Sequence, residues 1–374
     1  MQSLSKYLPT SFFYRHATKS KAPKLTFQGF LFCGLLLFIF ACDSSKTFAQ
    51  DNHSYGYPIA PQRNDGEQAD IFMKIRMKNS IALKKGEFNA IPISEFSGIA
   101  WDEDEQLLYA VSDEGYLYHL KLQFSKDTSK KLTSIQVVFA TKLKNAIGSP
   151  LKGKYSDSEG LSLKNGNNGK TGDSKLIVSF ENKPRISEYS PSGELIKNIA
   201  IQKRFRKRKT YRTKNKALES VTNHPEYGIL TVAQHPIKGD DIKYQTLYAT
   251  SKGAKELVWH FQASDATNSS VTGLETLDDG SILILERVYQ NPITPIIMSL
   301  KRLRLDRCNE KKECETEEIA RFDGADGWLL DNFEGLAKLH GNELLVVSDD
   351  NKNPLQKTIF VHFEVLEDKP KQEK

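Results

Sequence analysis

From residue 97 onward the chain alternates short apolar runs with polar turns, and the alternation itself repeats. Each cycle opens on a small or acidic residue followed by an aliphatic one, passes a polar turn, and ends an apolar run on acidic or amide residues. The copies run from Ser97-Gly98-Ile99 to Ser112-Asp113-Glu114, from Glu159-Gly160-Leu161 to Phe180-Glu181-Asn182, and from Glu219-Ser220-Val221 to Ala233-Gln234-His235. Two more run from Leu274-Glu275 to Leu285-Glu286-Arg287 and from Glu334-Gly335-Leu336 to Ser348-Asp349-Asp350. Their starts lie 62, 60, 56 and 59 residues apart. The runs are rich in β-branched and aromatic residues and bounded by Gly, Asn, Asp and Pro, so they predict strands. No stretch beyond residue 50 keeps a helical period. A strand repeat of near-constant length predicts propeller blades over a sandwich or a run of meanders.

The first four cycles each hold four apolar runs; the first, for example, has 98–101, 107–112, 116–122 and 135–140. The fifth holds three. Segment 71–83, with partial alternation, can supply its fourth strand, which would close the ring by pairing the two ends of the chain and protect the edge strands. The expectation is an all-β propeller over residues 71–367, with five blades, or six if 71–92 folds into more strands. Residues 50–70, polar and carrying Gly56, Pro58, Pro61 and Gly66, read as a flexible leader, and 368–374 as a charged tail.

With 39% hydrophobic and 27% charged residues, the chain is ordinary globular material. Residues 1–49 read differently. Five basic residues and no acid precede the apolar stretch 27–41, which has the length of an export signal. Three outcomes fit: lipidation of Cys42 after Ile39-Phe40-Ala41, cleavage after Thr47-Phe48-Ala49, or retention as an anchor. All three export the body to the periplasm or outer envelope. Cysteine usage agrees, because Cys308 and Cys314 are the only cysteines outside that segment. They are expected to close a local disulfide, since two thiols without a nearby His or second pair cannot complete a zinc site.

The formal charge of +6 is unevenly spread. The run 203–216 (KRFRKRKTYRTKNK) holds nine basic groups and no acid, and the rest of the chain beyond residue 49 is net acidic. Export and the acidic remainder of the chain argue against nucleic acid as a partner. A monomer is expected, with membrane contact only through the N-terminal segment.

If the first strand of each repeat is innermost, the start of that strand and the end of the second lie at one end of the ring. That end would gather Ser97, Asp113 and Glu114; Glu159, Glu181 and Asn182; Glu219, Gln234 and His235; Glu275, Glu286 and Arg287; and Glu334, Asp349, Asp350 and Asn351. Crowded carboxylates repel, and a hard cation offsets that repulsion. The oxygen-rich inventory favours Ca²⁺ over Mg²⁺. Glu159, Glu219, Glu334, Asp349 and Asp113 are the expected metal ligands. Glu334, Asp349 and Glu286 are the expected catalytic groups, and Arg287 and His235 would hold an anionic small molecule or ester. A repeated Glu before a strand can equally accept turn amides and lock blade to blade. No Gly-x-Ser-x-Gly elbow, phosphate-binding glycine loop or His-Glu-x-x-His is present.

Taken jointly, these motifs resemble the phytase-like family described as having esterase-like activity of phytase. The residues that carry the resemblance are Phe96-Ser97-Gly98-Ile99 with Ser112-Asp113, Ser158-Glu159-Gly160-Leu161 and Leu218-Glu219-Ser220-Val221. Leu283-Ile284-Leu285-Glu286-Arg287 and Phe333-Glu334-Gly335-Leu336 with Asp349-Asp350-Asn351 complete it. It spans roughly residues 93–365. Ser220 replaces an expected Gly, Gly273-Leu274-Glu275 has a shifted order, and the basic insert departs from the pattern. The resemblance implies a β-propeller that hydrolyses an ester or phosphoester; the alternative is a non-catalytic envelope propeller that binds a ligand or partner protein.

Overall fold

The computed structural model describes residues 54–61, 70–213, 216–250, 257–265, 267–291 and 293–367. The expected export segment, Cys42 and the charged tail lie outside them. Among the described residues the regular structure is strands and short 3-10 turns. In chain order the strands are β1 (Ser54–Gly56), β2 (Ile71–Phe72), β3 (Ile75–Leu83), β4 (Glu87–Phe88) and β5 (Ile91–Pro92). The first repeat follows as β6 (Phe96–Asp102), β7 (Leu107–Ser112), β8 (Tyr116–Phe124) and β9 (Leu132–Lys142). The second is β10 (Ser158–Lys164), β11 (Lys175–Phe180), β12 (Arg185–Tyr189) and β13 (Leu195–Ile199). The third is β14 (Leu218–His224), β15 (Gly228–Ala233), β16 (Tyr244–Ala249) and β17 (Val258–Gln262). The fourth is β18 (Ser269–Thr276), β19 (Ile282–Val288), β20 (Ile297–Cys308) and β21 (Glu313–Asp323). The fifth is β22 (Asn332–Lys338), β23 (Glu343–Asp349) and β24 (Ile359–Val365).

Within each repeat the strands pair in sequence order, antiparallel. The fourth strand of the last repeat is β3, which pairs antiparallel with β24, Val361 opposite Ser80. This is the ring closure expected from the sequence. The first strands pack on one another in the cyclic order β6, β10, β14, β18, β22 and back to β6. The molecule is an all-β propeller.

The core lies between sheets. One buried apolar cluster joins the fifth repeat to the first, with Phe360, Val347 and Leu345 against Phe96, Leu108 and Tyr118. Four further clusters fill the junctions between consecutive repeats. Each buried Leu, Ile or Phe contributes about 1.5–3 kcal/mol, so stability resides at the junctions. That arrangement explains why β11 (KLIVSF) reads as a continuous apolar run: both of its faces are covered, whereas the outer β13 (LIKNI) is mostly exposed.

Two features depart from the sequence reading. Ser54–Gly56, in the segment read as a leader, pairs with Ile81–Leu83 of β3. Its Ser54 hydroxyl accepts the Ile135 amide at 3.0 Å, and Ile59 is buried beyond it. An uncovered β3 would present an open ladder edge, and this strand covers it. The β20–β21 hairpin is also longer than expected. Its tip pairs parallel with β17, Phe261 opposite Cys314, so the third and fourth repeats join at their outer strands as well.

Candidate functional site: a carboxylate mouth at one end of the ring

Every first strand carries a β-bulge near its start. Ladder partners jump from Phe96 to Gly98, from Ser158 to Leu161, from Leu218 to Ser220, from Val271 to Gly273 and from Phe333 to Gly335. A bulge leaves its extra residue unpaired and re-aims its side chain. The bulged residues are Ser97, Glu159, Glu219, Thr272 and Glu334. The fourth equivalent is therefore Thr272, and Glu275 lies three residues further along β18. The structure places Glu275 near the opposite end, beside Lys338 and Asp278, with its carboxyl pushed up to about 8 mainly by burial. The shifted order of Gly273-Leu274-Glu275 noted in the sequence reflects this offset.

Glycine next to the bulge lets neighbouring first strands approach backbone to backbone. A Cβ on Gly98 would lie 2.4 Å from the Glu159 carbonyl oxygen, and one on Gly160 would lie 2.7 Å from the Ser220 Cα. Close approach brings the bulged carboxylates together around a narrow channel. Asp113, at the end of β7, completes the centre: carboxylate oxygens of Asp113, Glu159 and Glu334 all lie within 4.8 Å of one another. A second group, Asp157, Glu159 and Glu181, shares Glu159.

Burial raises all of these carboxyls, and like charge raises Asp113, Glu159 and Glu181 further. Asp113 is driven well up by desolvation, then by Glu334 and Asp349. Glu159 is driven up by desolvation, then by Asp113 and Glu219. Glu219 is raised by desolvation and Glu334, against the pull of Arg287 and Lys216. Asp349 is pushed up to about 8 and Glu181 to about 7, each chiefly by burial. Glu334 is also raised by burial, partly offset by Arg287 and Asn332. Its Oε1 accepts from Arg287 Nη1 at 3.2 Å and from Asn332 Nδ2 at 2.8 Å, and Asn332 Nδ2 reaches Asp349 Oδ2 at 3.3 Å. Glu219 Oε1 accepts from Gln234 Nε2 at 2.8 Å, and Lys216 Nζ donates to Gln234 Oε1 at 2.7 Å. Asp113 Oδ1 is buried with no hydrogen-bond partner among the described residues.

The structure thus gathers Asp113, Glu159, Glu181, Glu219, Glu334, Asp349 and Arg287 at one end. A family model described as "Phytase-like: Esterase-like activity of phytase" matches residues 91–352, more than half of the chain. The chain belongs to the phytase-like family. Among solved structures, it is similar to the WD40 domain of Neurospora crassa Pan2, at 10% identity and TM-score 0.33, covering 75% of this chain and 92% of that one. It is similar also to Chaetomium thermophilum Raptor, at 9% identity and TM-score 0.33, covering 80% of this chain and 29% of that one. No curated protein matches it significantly.

Within this phytase-like propeller, several residues singled out from the sequence stand elsewhere. Glu286 is fully buried inside its repeat, 2.5 Å from Lys301 Nζ, and accepts from both the amide and the hydroxyl of Ser264. It faces the opposite way from its neighbour Arg287, as alternate strand residues must. Glu114 pairs with Lys352 at the rim. Asn182 donates to Asp157, and Asp350 accepts the Glu95 amide at 3.1 Å. The Asn351 amide donates to Asp349 Oδ1 at 2.8 Å. His235 is half-buried with Nε2 3.3 Å from the Ser270 hydroxyl. Its pKa falls to about 4 through burial and the charges of Lys216, Arg287 and Arg212, so at neutral pH it is a neutral hydrogen-bonding group.

Sequence reasoning missed Asp157, Glu95, Asn332 and Thr272. The signal was present two residues before each bulge, where Glu95, Asp157, Ala217, Ser270 and Asn332 stand at, or just ahead of, the start of each first strand. The expected Cys308–Cys314 disulfide is formed, at the tip of the β20–β21 hairpin.

Proposed function

We propose that the protein is a divalent-cation-dependent hydrolase of phosphate esters or related anionic esters, acting at the carboxylate mouth. The observation that carries this reading is the meeting of Asp113, Glu159 and Glu334 oxygens within 4.8 Å, with Asp113 Oδ1 buried and unpartnered. Carboxylates this close and this desolvated are offset by protons or by a cation. An all-oxygen set from several strands suits Ca²⁺, which accepts six to eight such ligands, better than Mg²⁺, which takes few carboxylates.

Asp113, Glu159 and Glu334 would hold the ion, with Glu219 and Asp349 flanking it. A divalent cation here supplies polarisation of a phosphoryl or acyl oxygen and a more acidic bound water. Arg287 and Lys216, at the same mouth, would bind and orient the anionic end of the ester and stabilise charge developing on it. Gln234 fixes Lys216 and Glu219 in place through its amide. His235, neutral at pH 7, offers a hydrogen bond rather than a charge. The Asp349 carboxyl, pushed up to about 8 chiefly by burial, would release its proton if a cation bound beside it. The basic-then-apolar export segment read within residues 1–49 and the disulfide both favour a site outside the cytoplasm, in the periplasm or outer envelope, with Cys42 as the lipid attachment point if that segment is a lipoprotein signal.

The test is calorimetric titration of the metal-stripped protein with Ca²⁺, followed by p-nitrophenyl phosphate and p-nitrophenyl acetate assays on stripped and loaded forms. Saturable binding with cation-dependent turnover, both lost in Glu334→Gln with the fold retained, is the expected result. Binding without turnover of either ester overturns the hydrolase and leaves a ligand-binding propeller. Absence of binding overturns the cation site itself.

A further inference from the structure

The large apolar side chains that solvent reaches most freely lie at one end of the ring. Among the described residues, Ile293 is 93% exposed, Leu355 88%, Ile147 85% and Leu329 56%. Each sits on a loop that either enters a first strand or leaves a second strand: Ile147 before β10, Ile293 after β19, Leu329 before β22 and Leu355 after β23. Those loops all belong to the mouth end. Of the remaining exposed large apolar residues, none exceeds 50%.

The charge of the same end is layered. The carboxylates are recessed: Glu159, Glu219, Glu334 and Asp349 are each at most 8% exposed. The bases stand outside them. The loop between β13 and β14 enters the mouth and turns Lys203, Arg206, Lys207 and Lys209 to solvent, anchored by buried Phe205 and Tyr211. The Tyr211 hydroxyl donates to the Phe205 carbonyl at 2.8 Å, so this basic loop is a built feature with its own core. Lys152 and Lys154, both exposed, stand on the Ile147 loop.

We infer that the mouth rim is a docking surface for an anionic lipid bilayer, with Ile147, Ile293 and Leu355 entering the interface and the bases of segment 203–213 meeting the headgroups. Isolated aliphatic tips on separate loops form no continuous apolar patch for a protein partner, whereas each can enter a fluid interface on its own. Basic side chains beside them add attraction to anionic headgroups that fades with salt. Charge complementarity selects the bilayer: a body otherwise net acidic concentrates its basic run at this end. The docking stands whether or not the mouth is catalytic. If it is, an ester carried by a lipid would be delivered straight to the carboxylate centre.

The test uses the segment Asp51–Lys374, which forms a compact unit and contains every ring strand and all five core clusters, so the apolar N-terminal stretch contributes nothing to binding. Cosedimentation with vesicles of phosphatidylcholine alone and with 30% phosphatidylglycerol, at low and at physiological salt, reads the partition directly. We expect binding to the anionic vesicles, weakened at least tenfold by the triple change Ile147→Ser, Ile293→Ser and Leu355→Ser, and weakened likewise by Lys207→Glu with Lys209→Glu. These residues are exposed, so unchanged circular dichroism and melting will confirm the folds. Equal binding by wild type and the triple variant, or no binding to anionic vesicles, overturns the inference. So does concentration-dependent dimerisation abolished by the same triple variant without vesicle binding, which would assign the rim to a second copy of the chain. Ca²⁺ titration of the triple variant keeps the cation site separate: its retention alongside lost vesicle binding ties the loss to the rim.

Discussion

Arg287 Nη1 lies 3.2 Å from Glu334 Oε1, a nearly buried ion pair that ties the end of β19 to the bulge of β22. The pair joins neighbouring repeats at the point where the acidic groups crowd most closely, and it gives Glu334 a positive charge that competes with any cation for the same oxygen. Replacing Arg287 with Met therefore has two expected consequences. The metal-free protein loses about 3 kcal/mol, because a buried carboxylate loses its ion-pair partner and keeps the Asn332 amide. Its Ca²⁺ affinity rises about tenfold, since an adjacent positive charge is gone. Urea unfolding in EDTA and calorimetric titration measure the two separately. A loss of stability with no gain in affinity would place the ion away from Glu334.

The raised carboxyls predict an unusual pH profile for the metal-free protein. Asp349 is held at about 8 and Glu181 at about 7 when folded, against ordinary values of 3.8 and 4.5. Between about pH 4 and 8 the folded chain keeps protons that the unfolded chain has released, so stability falls as pH rises through that window. Unfolding in EDTA should show a lower denaturant midpoint at pH 8 than at pH 5. Ca²⁺ should flatten this slope by replacing the protons, and its binding enthalpy near pH 7 should vary with the ionisation enthalpy of the buffer. A flat profile in EDTA would mean that these carboxyls are ionised in the folded protein.

Much of this arrangement was legible in the sequence because the repeat carries it. A period near 60 residues, strand runs bounded by turns, and Glu before an aliphatic residue were enough to predict the propeller, its closure by β3 and β24, and the gathering of Glu159, Glu219 and Glu334 at one end. The bulge was not legible, since it is a property of ladder register. Without it Glu275 counts as the fourth member of the ring and Thr272 goes unnoticed. Nor does the motif Leu-Glu-Arg say which of two adjacent side chains faces the mouth. Strand alternation admits only one, and the packing of Lys301 against Glu286 decides for Arg287. Asp113 emerged as central for a reason outside its own repeat, namely the proximity of Glu159 and Glu334 from the neighbours on either side.

The close approach of first strands predicts a sharp contrast between glycines. Alanine at Gly160 would put its methyl 2.7 Å from both the Ser220 Cα and the Val221 amide nitrogen, backbone atoms that cannot rotate away. The expected cost is about 3 kcal/mol, at the upper end of overpacking in a filled core. Gly86, with no atom within 4 Å of the same position, should tolerate alanine within about 0.5 kcal/mol. Ser220 itself carries a buried hydroxyl with no hydrogen-bond partner among the described residues. Ser220→Ala removes that unsatisfied group and is expected to stabilise by about 1 kcal/mol. Thermal and urea unfolding of the three variants checks the order; destabilisation by Ser220→Ala would show that the hydroxyl is bonded in solution.

The Cys308–Cys314 disulfide closes a short loop, with a sequence separation of 6, at the tip of β20 and β21. Cys314 stands opposite Phe261 in the parallel pairing that links the outer strands of the third and fourth repeats, and both cysteines contribute to the core between those repeats. A loop of this length restricts the unfolded chain by about 2 kcal/mol. Reduction with dithiothreitol should lower the stability of the wild-type chain by that amount and leave Cys308→Ser/Cys314→Ser unaffected, since the double variant already lacks the crosslink. Because the hairpin tip is remote from the mouth, Ca²⁺ affinity should be the same in oxidised and reduced protein. A change in affinity on reduction would mean that the junction between the third and fourth repeats transmits strain to Glu219 and Arg287, the residues it carries at its inner end.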